Sequence, residues 1–433
     1  MLGIKKFFSS VADASLKLIG KKLVKKDLSS VLQLCDDLIS FKGVASGIAI
    51  AREITKIYIT FDTDKKLSFF KEINKKFAPK KLEVEKKINE YVANQNEKNL
   101  NKLRRAVEGN RQEFIRRLNL APNGTPFLIS MREDLINFLP YNAELKNLDE
   151  DIRHLFKSWF NPGFLRLEKI TWDTKAAILE KIMKYEKVHQ INDMNELKRR
   201  LQQEDRRFYA YFHPILKDEP LIFVEVAFTK GLGTSIQEII KPKADSNFDY
   251  DTATFYSINN CQNGLMRVTL GNFLIKRVVF EIQEENPNIR NFGTLSPLPG
   301  FSDWVFSLSD EKLKNILKGN NFDKLDFLKS IPLKINDPRI LKESDTIKKL
   351  VCHYLVKEKT NDQPLNPVSR FHLGNGASIY DIIINGNISN YGYKESFGIM
   401  VNYIYQLNKL EQIHEDFITK GIISYSDKLK KYL

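Results

Sequence analysis

Cysteine is scarce in this chain of 433 residues: Cys35, Cys261 and Cys352 lie far apart and form no CxxC pair. That excludes a thiolate metal site of the usual spacing and points to free thiols in a reducing compartment. Histidine is nearly as scarce, with six residues, and none stands in an HExxH or comparable metal-ligand spacing. No apolar run approaches the roughly 18 residues that a spanning helix needs, so stable membrane insertion is not expected. Internal repeats and low-complexity tracts are absent, which leaves ordinary globular domains. A dense arginine patch is missing too. The net charge of +14 comes largely from lysines scattered over the whole chain, which favours a solvated surface or small anionic ligands over nucleic acid. The ending Lys431-Tyr432-Leu433 is not a peroxisomal signal.

What is present divides at about Pro162. The length suggests two domains, each large enough to bury a core. Over residues 1–162 nearly every segment carries apolar residues at three-to-four spacing. Helices are predicted over Asp27 to Phe41, Asp64 to Phe77, Lys81 to Ala93, Glu97 to Leu118 and Glu144 to Phe160, with breaks at Gly43, Pro79, Pro122-Asn123-Gly124 and Pro140. The first 26 residues are basic, serine-containing and amphipathic, like a mitochondrial presequence. They use lysine in place of arginine and Asp13 interrupts them, so an ordinary first helix in a cytoplasmic protein is expected. This half offers no histidine, cysteine or paired-carboxylate cluster and reads as scaffold or oligomerisation surface.

Residues 163–433 change character. Phe208 to His213 and Leu221 to Thr229 are strand-like runs that make a hairpin, and Thr252 to Ile258 is a third strand. A glycine loop, a helix over Leu274 to Ile282 and a strand ending at Ser296 complete a right-handed crossover unit. Helix returns over Asp310 to Glu358. Ser378 to Ile384 and Gly398 to Leu407 are two more strands, with Asn385-Gly386 and Asn390-Tyr391-Gly392 as turns between them. The fold class is therefore α+β: an all-helical domain followed by a mixed α/β domain around one sheet.

The chemistry centres on Gly264 to Phe301. Arg267, Gly271 and Asn272 open the helix from Leu274, and a helix start with unpaired N–H groups and a positive dipole end can hold a phosphate. Further on, Pro297 holds Ser296 extended and Pro299-Gly300 turns the chain away. Among the histidines His372 stands out, in a loop with a proline-fixed entry and an Asn-Gly exit at the mouth of the strand from Ser378. His189 and His213 are weaker candidates, and His154, His353 and His414 fall in helical patterns. From the residues alone the site is an anion-binding helix start beside a fixed serine, with a histidine able to approach it.

Seven stretches together resemble the malonyl-CoA decarboxylase family: GFLRLEKITWDT from Gly163, EKIMKYEKVH from Glu180, TFYSI from Thr254, GLMRVTLGNFLIKRVV from Gly264, LSPLPGF from Leu295, LNPVSRFHLGNGA from Leu365 and GIMVNYIY from Gly398. They occur in the family's order and span nearly the whole second half, and CDDLISFKG from Cys35 is a local echo in the first. The resemblance implies an N-terminal helical domain used in oligomer contacts and a catalytic domain resembling the GCN5-related acetyltransferase (GNAT) fold. It implies decarboxylation of malonyl-CoA to acetyl-CoA and CO2. Met266, Arg267, Val268, Thr269, Leu270, Gly271 and Asn272 would hold the coenzyme A pyrophosphate, and Ser296 and His372 would be the catalytic pair. The pair would stabilise and protonate an enolate, with His372 as proton donor because imidazole titrates near neutral pH. Asn402, Tyr405 and His189 are second-tier site residues. Neither metal nor organic cofactor is implied, coenzyme A being part of the substrate, and a homodimer or homotetramer is expected. Thr269 stands where some members carry a glutamate. The alternatives are another acyl-CoA-dependent transferase on the same fold or a malonyl-CoA-binding protein without turnover.

Overall fold

The computed structural model describes residues 27–40, 43–241, 249–268, 274–317, 328 and 337–433. The chain divides into two compact units, Met1–Phe164 with Gln262–Val268, and Leu165–Cys261 with Thr269–Leu433. The amphipathic N-terminal stretch of residues 1–26 lies outside the described residues.

Among the described residues the first unit contains the α-helices Leu28–Ser40, Val44–Tyr58, Thr63–Lys76, Lys81–Ala93, Glu97–Glu108, Arg111–Leu118, Gly124–Phe138 and Lys146–Trp159. Asp62 starts the third by accepting from Lys65 N at 2.8 Å, and Asn96 starts the fifth by accepting from Asn99 N at 2.8 Å. The single helix predicted over Glu97 to Leu118 is two helices. Gly109 separates them at φ +66°, and a Cβ there would lie 2.8 Å from Pro79 N, so the chain turns where only glycine fits. The apolar faces meet in an aromatic core in which the Tyr58 ring meets Phe69 and Phe127 edge-on, with centroids at 5.3 and 5.4 Å.

Gln262–Val268 belongs with these helices although it comes more than a hundred residues after the last of them. Arg132, 1% exposed, explains its place: Nε donates to Asp149 Oδ1 at 2.8 Å, and Nη1 donates to the carbonyls of Gly264 at 2.5 Å and Met266 at 2.9 Å. Gly264 passes so close to the Ile129 carbonyl that no side chain could be added.

The second unit is built on an eight-stranded mixed sheet. Its strands are β1 (Arg166–Lys169), β2 (Arg206–Phe212), β3 (Pro220–Thr229), β4 (Thr252–Asn260), β5 (Asn291–Thr294) and β6 (Ser296–Pro297), and a separate hairpin of β7 (Lys359–Thr360) and β8 (Gln363–Pro364) precedes β9 (Ser378–Ile383) and β10 (Met400–Ile404). β1 to β4 are antiparallel neighbours. β4 and β5 are parallel, as the crossover through the Leu274–Glu285 helix requires. β5 and β6 keep one register along β10, from Ile404↔Gly293 to Met400↔Pro297, with the pairing broken at Thr294 and Leu295, and β9 pairs with the other edge of β10.

The pairing of β4 with β5 runs from Thr252↔Asn291 to Phe255↔Thr294 and closes with Leu295 N donating to Phe255 O at 3.0 Å. Beyond that point Ser296 and Pro297 pair with β10, while β4 continues to Asn260 on β3 alone. The sheet opens between β4 and β6. At the opening β4 carries a bulge: Phe255 faces Val226 and Ser257 faces Glu225, which leaves Tyr256 without an opposite residue.

Two further expectations are corrected. Asn390-Tyr391-Gly392 is not a turn but the start of the Asn390–Ser396 helix, because Ser389 Oγ accepts from Gly392 N at 3.0 Å and caps it. The helix expected over Asp310 to Glu358 is described as Asp310–Leu317, Pro338–Lys342 and Ser344–Val356, and residues 318–327 and 329–336 lie outside the described residues. Among the described residues no helix is long and apolar enough to cross a membrane.

Arg132→Met would strand the buried Asp149 carboxylate and two main-chain carbonyls. A loss of about 3 to 5 kcal/mol is expected, read as a lower urea midpoint, and an unchanged midpoint would show that Arg132 does not anchor the segment.

Candidate active site

The opening in the sheet holds a cavity of about 210 Å³. β4 supplies Phe255, Tyr256, Ile258 and Asn260, β6 supplies Ser296 and Pro297, the Pro367–Gly374 helix supplies Pro367, Val368, Phe371 and His372, and Val188 closes the remaining side. The helix corrects the expectation that His372 sits in a loop. Asn366 Oδ1 accepts from Ser369 N at 2.8 Å and Pro367 occupies the first turn, where a missing N–H costs nothing. Asn366 Nδ2 also donates to Pro299 O at 3.0 Å, which ties the helix start to the turn after Ser296.

Ser296 Oγ lies 2.9 Å from His372 Nε2, and Tyr405 OH lies 2.8 Å from His372 Nδ1. On the far side Ser296 Oγ is 2.8 Å from Thr294 Oγ1, which accepts from Tyr403 N at 3.2 Å. The imidazole stacks on the Tyr403 ring with centroids 4.5 Å apart, so its plane is set as well as its two nitrogens. Every group in the row Tyr405, His372, Ser296, Thr294 can both give and take a proton. Because Ser296 Oγ donates to Thr294 Oγ1, the row runs one way, with His372 Nε2–H donating to Ser296 Oγ and Nδ1 accepting from the Tyr405 hydroxyl.

Burial sets the charge. His372 is 2% exposed, and desolvation pushes its pKa down to about 3, so the ring is neutral near pH 7. The expectation that it titrates near neutral pH fails for the unliganded site. Burial likewise raises the Tyr405 phenol. Among the described residues lining the cavity there is no lysine, arginine, aspartate or glutamate.

The remaining candidates fall in several places. Tyr405, second-tier by sequence, is a direct partner of His372. Asn402 stands behind Thr294, its Nδ2 donating to Thr294 O at 2.7 Å and Gly233 O at 3.0 Å. His189 is buried outside the cavity with Nε2 3.1 Å from Tyr256 O. Met266 and Arg267 are exposed and Val268 is buried in the first unit, with Arg267 at φ +63°. Met266 and Arg267 line a cleft of about 420 Å³ there, with Arg132, Lys146 and Arg153. Thr269, Leu270, Gly271 and Asn272 lie outside the described residues. Thr294 and Tyr403 were missed. Thr294 could have been found, since two residues apart on one strand means the same face as Ser296. No group of three or more His, Cys, Asp or Glu able to hold a metal ion occurs among the described residues.

Fold and site define an α+β protein whose second unit carries a hydroxyl–imidazole–phenol row in a cleft without charged lining residues. Family models of the malonyl-CoA decarboxylase C-terminal and N-terminal domains match residues 163–433 and 77–160. The chain belongs to the malonyl-CoA decarboxylase family. It is 34% identical over 320 residues to the mitochondrial malonyl-CoA decarboxylase of Anser anser anser, covering 68% of this chain and 63% of that one. The enzyme of Rattus norvegicus is 32% identical over 335 residues, 71% of this chain and 68% of the relative. Crystal structures of malonyl-CoA decarboxylase from Rhodopseudomonas palustris and Agrobacterium vitis superpose with TM-scores of 0.87 and 0.83 at 39% and 40% identity, covering 94% and 93% of this chain and 99% of each of those.

The buried titratable groups predict where stability peaks. His372 and His189 both stay neutral in the folded chain down to about pH 3, whereas unfolded histidine binds a proton below about 6.5. The unfolded state therefore binds more protons, and each histidine withdraws about 1.4 kcal/mol per pH unit as pH falls below about 6.5. Glu186 acts oppositely: burial first, then the neighbouring Glu225, push it up to about 8, so its contribution grows as pH falls from there towards the ordinary carboxylate range. Unfolding free energy should peak near about pH 6.5, with a net loss of about 1.4 kcal/mol per unit on the acid side. His372→Asn should flatten that acid limb and Glu186→Gln the alkaline one, and urea titrations across pH would detect either.

Proposed function

We propose that the Ser296–His372 cavity decarboxylates malonyl-CoA to acetyl-CoA and CO2. The observation that carries the reading is the buried Ser296–His372–Tyr405 row facing an uncharged cavity in a chain of this family. A carboxylate held there meets no cationic side chain among the described lining residues, so its charge is not stabilised against loss as neutral CO2. The electron pair released from the breaking carbon–carbon bond moves through the α-carbon onto the thioester oxygen. The His372 Nε2–H and the Ser296 hydroxyl border the cavity and can turn to donate to that oxygen, each able to contribute a few kcal/mol in a water-poor site.

One proton must then reach the α-carbon. The negative charge that develops on the thioester oxygen as CO2 leaves raises the proton affinity of the neutral imidazole, because an adjacent negative charge favours the charged form. His372 therefore takes up a proton from solvent only once the carboxylate is gone and gives it to the α-carbon directly or through Ser296, ending neutral again. Tyr405 holds the ring through Nδ1 in both stages. Residues 266–272 take the coenzyme A pyrophosphate in this reading, and no metal or organic cofactor takes part.

The protein works in the cytoplasm as a homodimer or homotetramer, joined through the helical unit. The support for the oligomer is the hairpin of the Lys81–Ala93 and Glu97–Glu108 helices. The first of these buries no residue, and Leu82, Val92 and Val107 are 82%, 65% and 53% exposed.

Purified protein mixed with malonyl-CoA should release acetyl-CoA and CO2 in equal amounts; intact malonyl-CoA would overturn the reading. Ser296→Ala and His372→Ala should each lower kcat by about a hundredfold or more with the fold retained, and Tyr405→Phe by about tenfold. Normal turnover by His372→Ala would remove its proton-transfer role. For the assembly, Leu82→Glu combined with Val92→Glu should lower the mass seen by light scattering, and an unchanged oligomer would place the interface elsewhere.

A further inference from the structure

We infer that His189 is a positioning residue for the decarboxylation, acting through the β-bulge at Tyr256 that forms one wall of the catalytic cavity. The inference rests on the proposed function and concerns a residue outside the cavity itself. In the β3–β4 register Tyr256 has no opposite residue, so its position is not set by a cross-strand pair as those of Phe255 and Ser257 are. Tyr256 is 3% exposed, and a carbonyl buried there needs a donor. His189 Nε2 lies 3.1 Å from that carbonyl oxygen. Since the oxygen can only accept, Nε2 carries the proton, and the contact fixes both the tautomer and the tilt of the peptide.

His189 is itself held by β4. Glu186 Oε1 accepts from the main-chain N–H groups of Val188 and His189, both at 2.7 Å, and Oε2 accepts from Ser257 Oγ at 2.7 Å and Asn259 Nδ2 at 2.8 Å. Lys187 N donates to Asn259 Oδ1 at 3.0 Å. Residues 186–189 are thus a strap clipped along the half of β4 that has left β5. The same strap sets Val188 into the cavity. The other end of Tyr256 is pinned as well, its phenol donating to Glu225 Oε2 at 2.7 Å. His189 is the element that holds the bulge main chain, and the bulge faces Ser296 across the opening. A shift of about 1 Å in that wall would misplace the substrate against Ser296 and can cost up to a hundredfold in rate.

His189→Leu keeps similar bulk without the donor, whereas His189→Gln keeps an amide N–H at the Nε2 position. Full-length protein is assayed for kcat and KM with malonyl-CoA, and urea midpoints are taken alongside. The expected result is that His189→Leu lowers kcat about tenfold or more with KM within about threefold, and that His189→Gln recovers most of the loss. Unchanged kcat in His189→Leu overturns the inference. So does a glutamine variant as slow as the leucine variant, or a rate loss that merely follows a lowered urea midpoint in both. If the leucine variant does not fold, His189→Asn, whose shorter amide falls short of the Tyr256 carbonyl, takes its place against the same outcomes. Wild-type turnover separates the two readings: an inactive wild type defeats the proposed reaction, and with it this inference, whereas an active wild type with an active His189→Leu defeats this inference alone.

Discussion

The hydrogen bond from Leu295 N to Phe255 O is the last that joins β4 to its parallel neighbour, and the site exists because the ladder stops there. A continued sheet would have filled the space with cross-strand pairs. Instead β10 takes Ser296 and Pro297 as partners, β4 goes on with β3 alone, and the gap between them becomes a cavity walled by strands that are each paired on their outer edge. The Pro367–Gly374 helix roofs it, and Asn366 both starts that helix and grips the Pro299 carbonyl. One side chain therefore couples the placement of His372 to the turn that follows Ser296.

Among the described residues no charged side chain lines this space. A histidine backed by a carboxylate would be held as imidazolium and would stabilise a substrate carboxylate in the ground state, which opposes its departure as CO2. Tyr405 orients the ring without adding charge, and stacking on Tyr403 sets its plane. In the proposed reaction, protonation of the ring is drawn by the charge that develops as CO2 leaves, so that the proton donor is assembled only when there is something to protonate. The carboxyl groups of the second unit that are buried nearby, Glu186 and Glu225, stay outside the lining.

Much of the architecture was legible in the sequence because it rests on local periodicity. Most helices of the first half, the β2–β3 hairpin, β4 and the crossover helix follow from apolar spacing, although Val44–Tyr58 and Gly124–Phe138 were not assigned to segments of their own. Misses occurred where a capping side chain or a single backbone angle decided the outcome. Gly109 splits one helical pattern in two, Ser389 makes a helix of a turn-like Asn-Tyr-Gly, and Asn366-Pro367 starts the helix that carries His372. β1 was not seen because its half-exposed edge position gives no alternation. Ser296 and His372 could be chosen one by one from their surroundings, and the family resemblance paired them. Their 76-residue separation holds no signal of contact, and nothing in composition announces that the imidazole is neutral.

The Arg132 contacts bear on how the chain could be cut. Gln262–Val268 is encoded in the middle of the second half yet completes the first unit, where one guanidinium holds the carbonyls of Gly264 and Met266 beside Asp149. A fragment ending at Phe164 would leave that guanidinium with two buried donor contacts unmade, and a fragment beginning at Leu165 would carry a short piece of backbone with its partners removed. The two halves are thus not modules that recombination could shuffle or a protease could cleanly part. The helical half is finished only after the first four strands of the sheet have been synthesised, so its last packing step waits on translation of the other half.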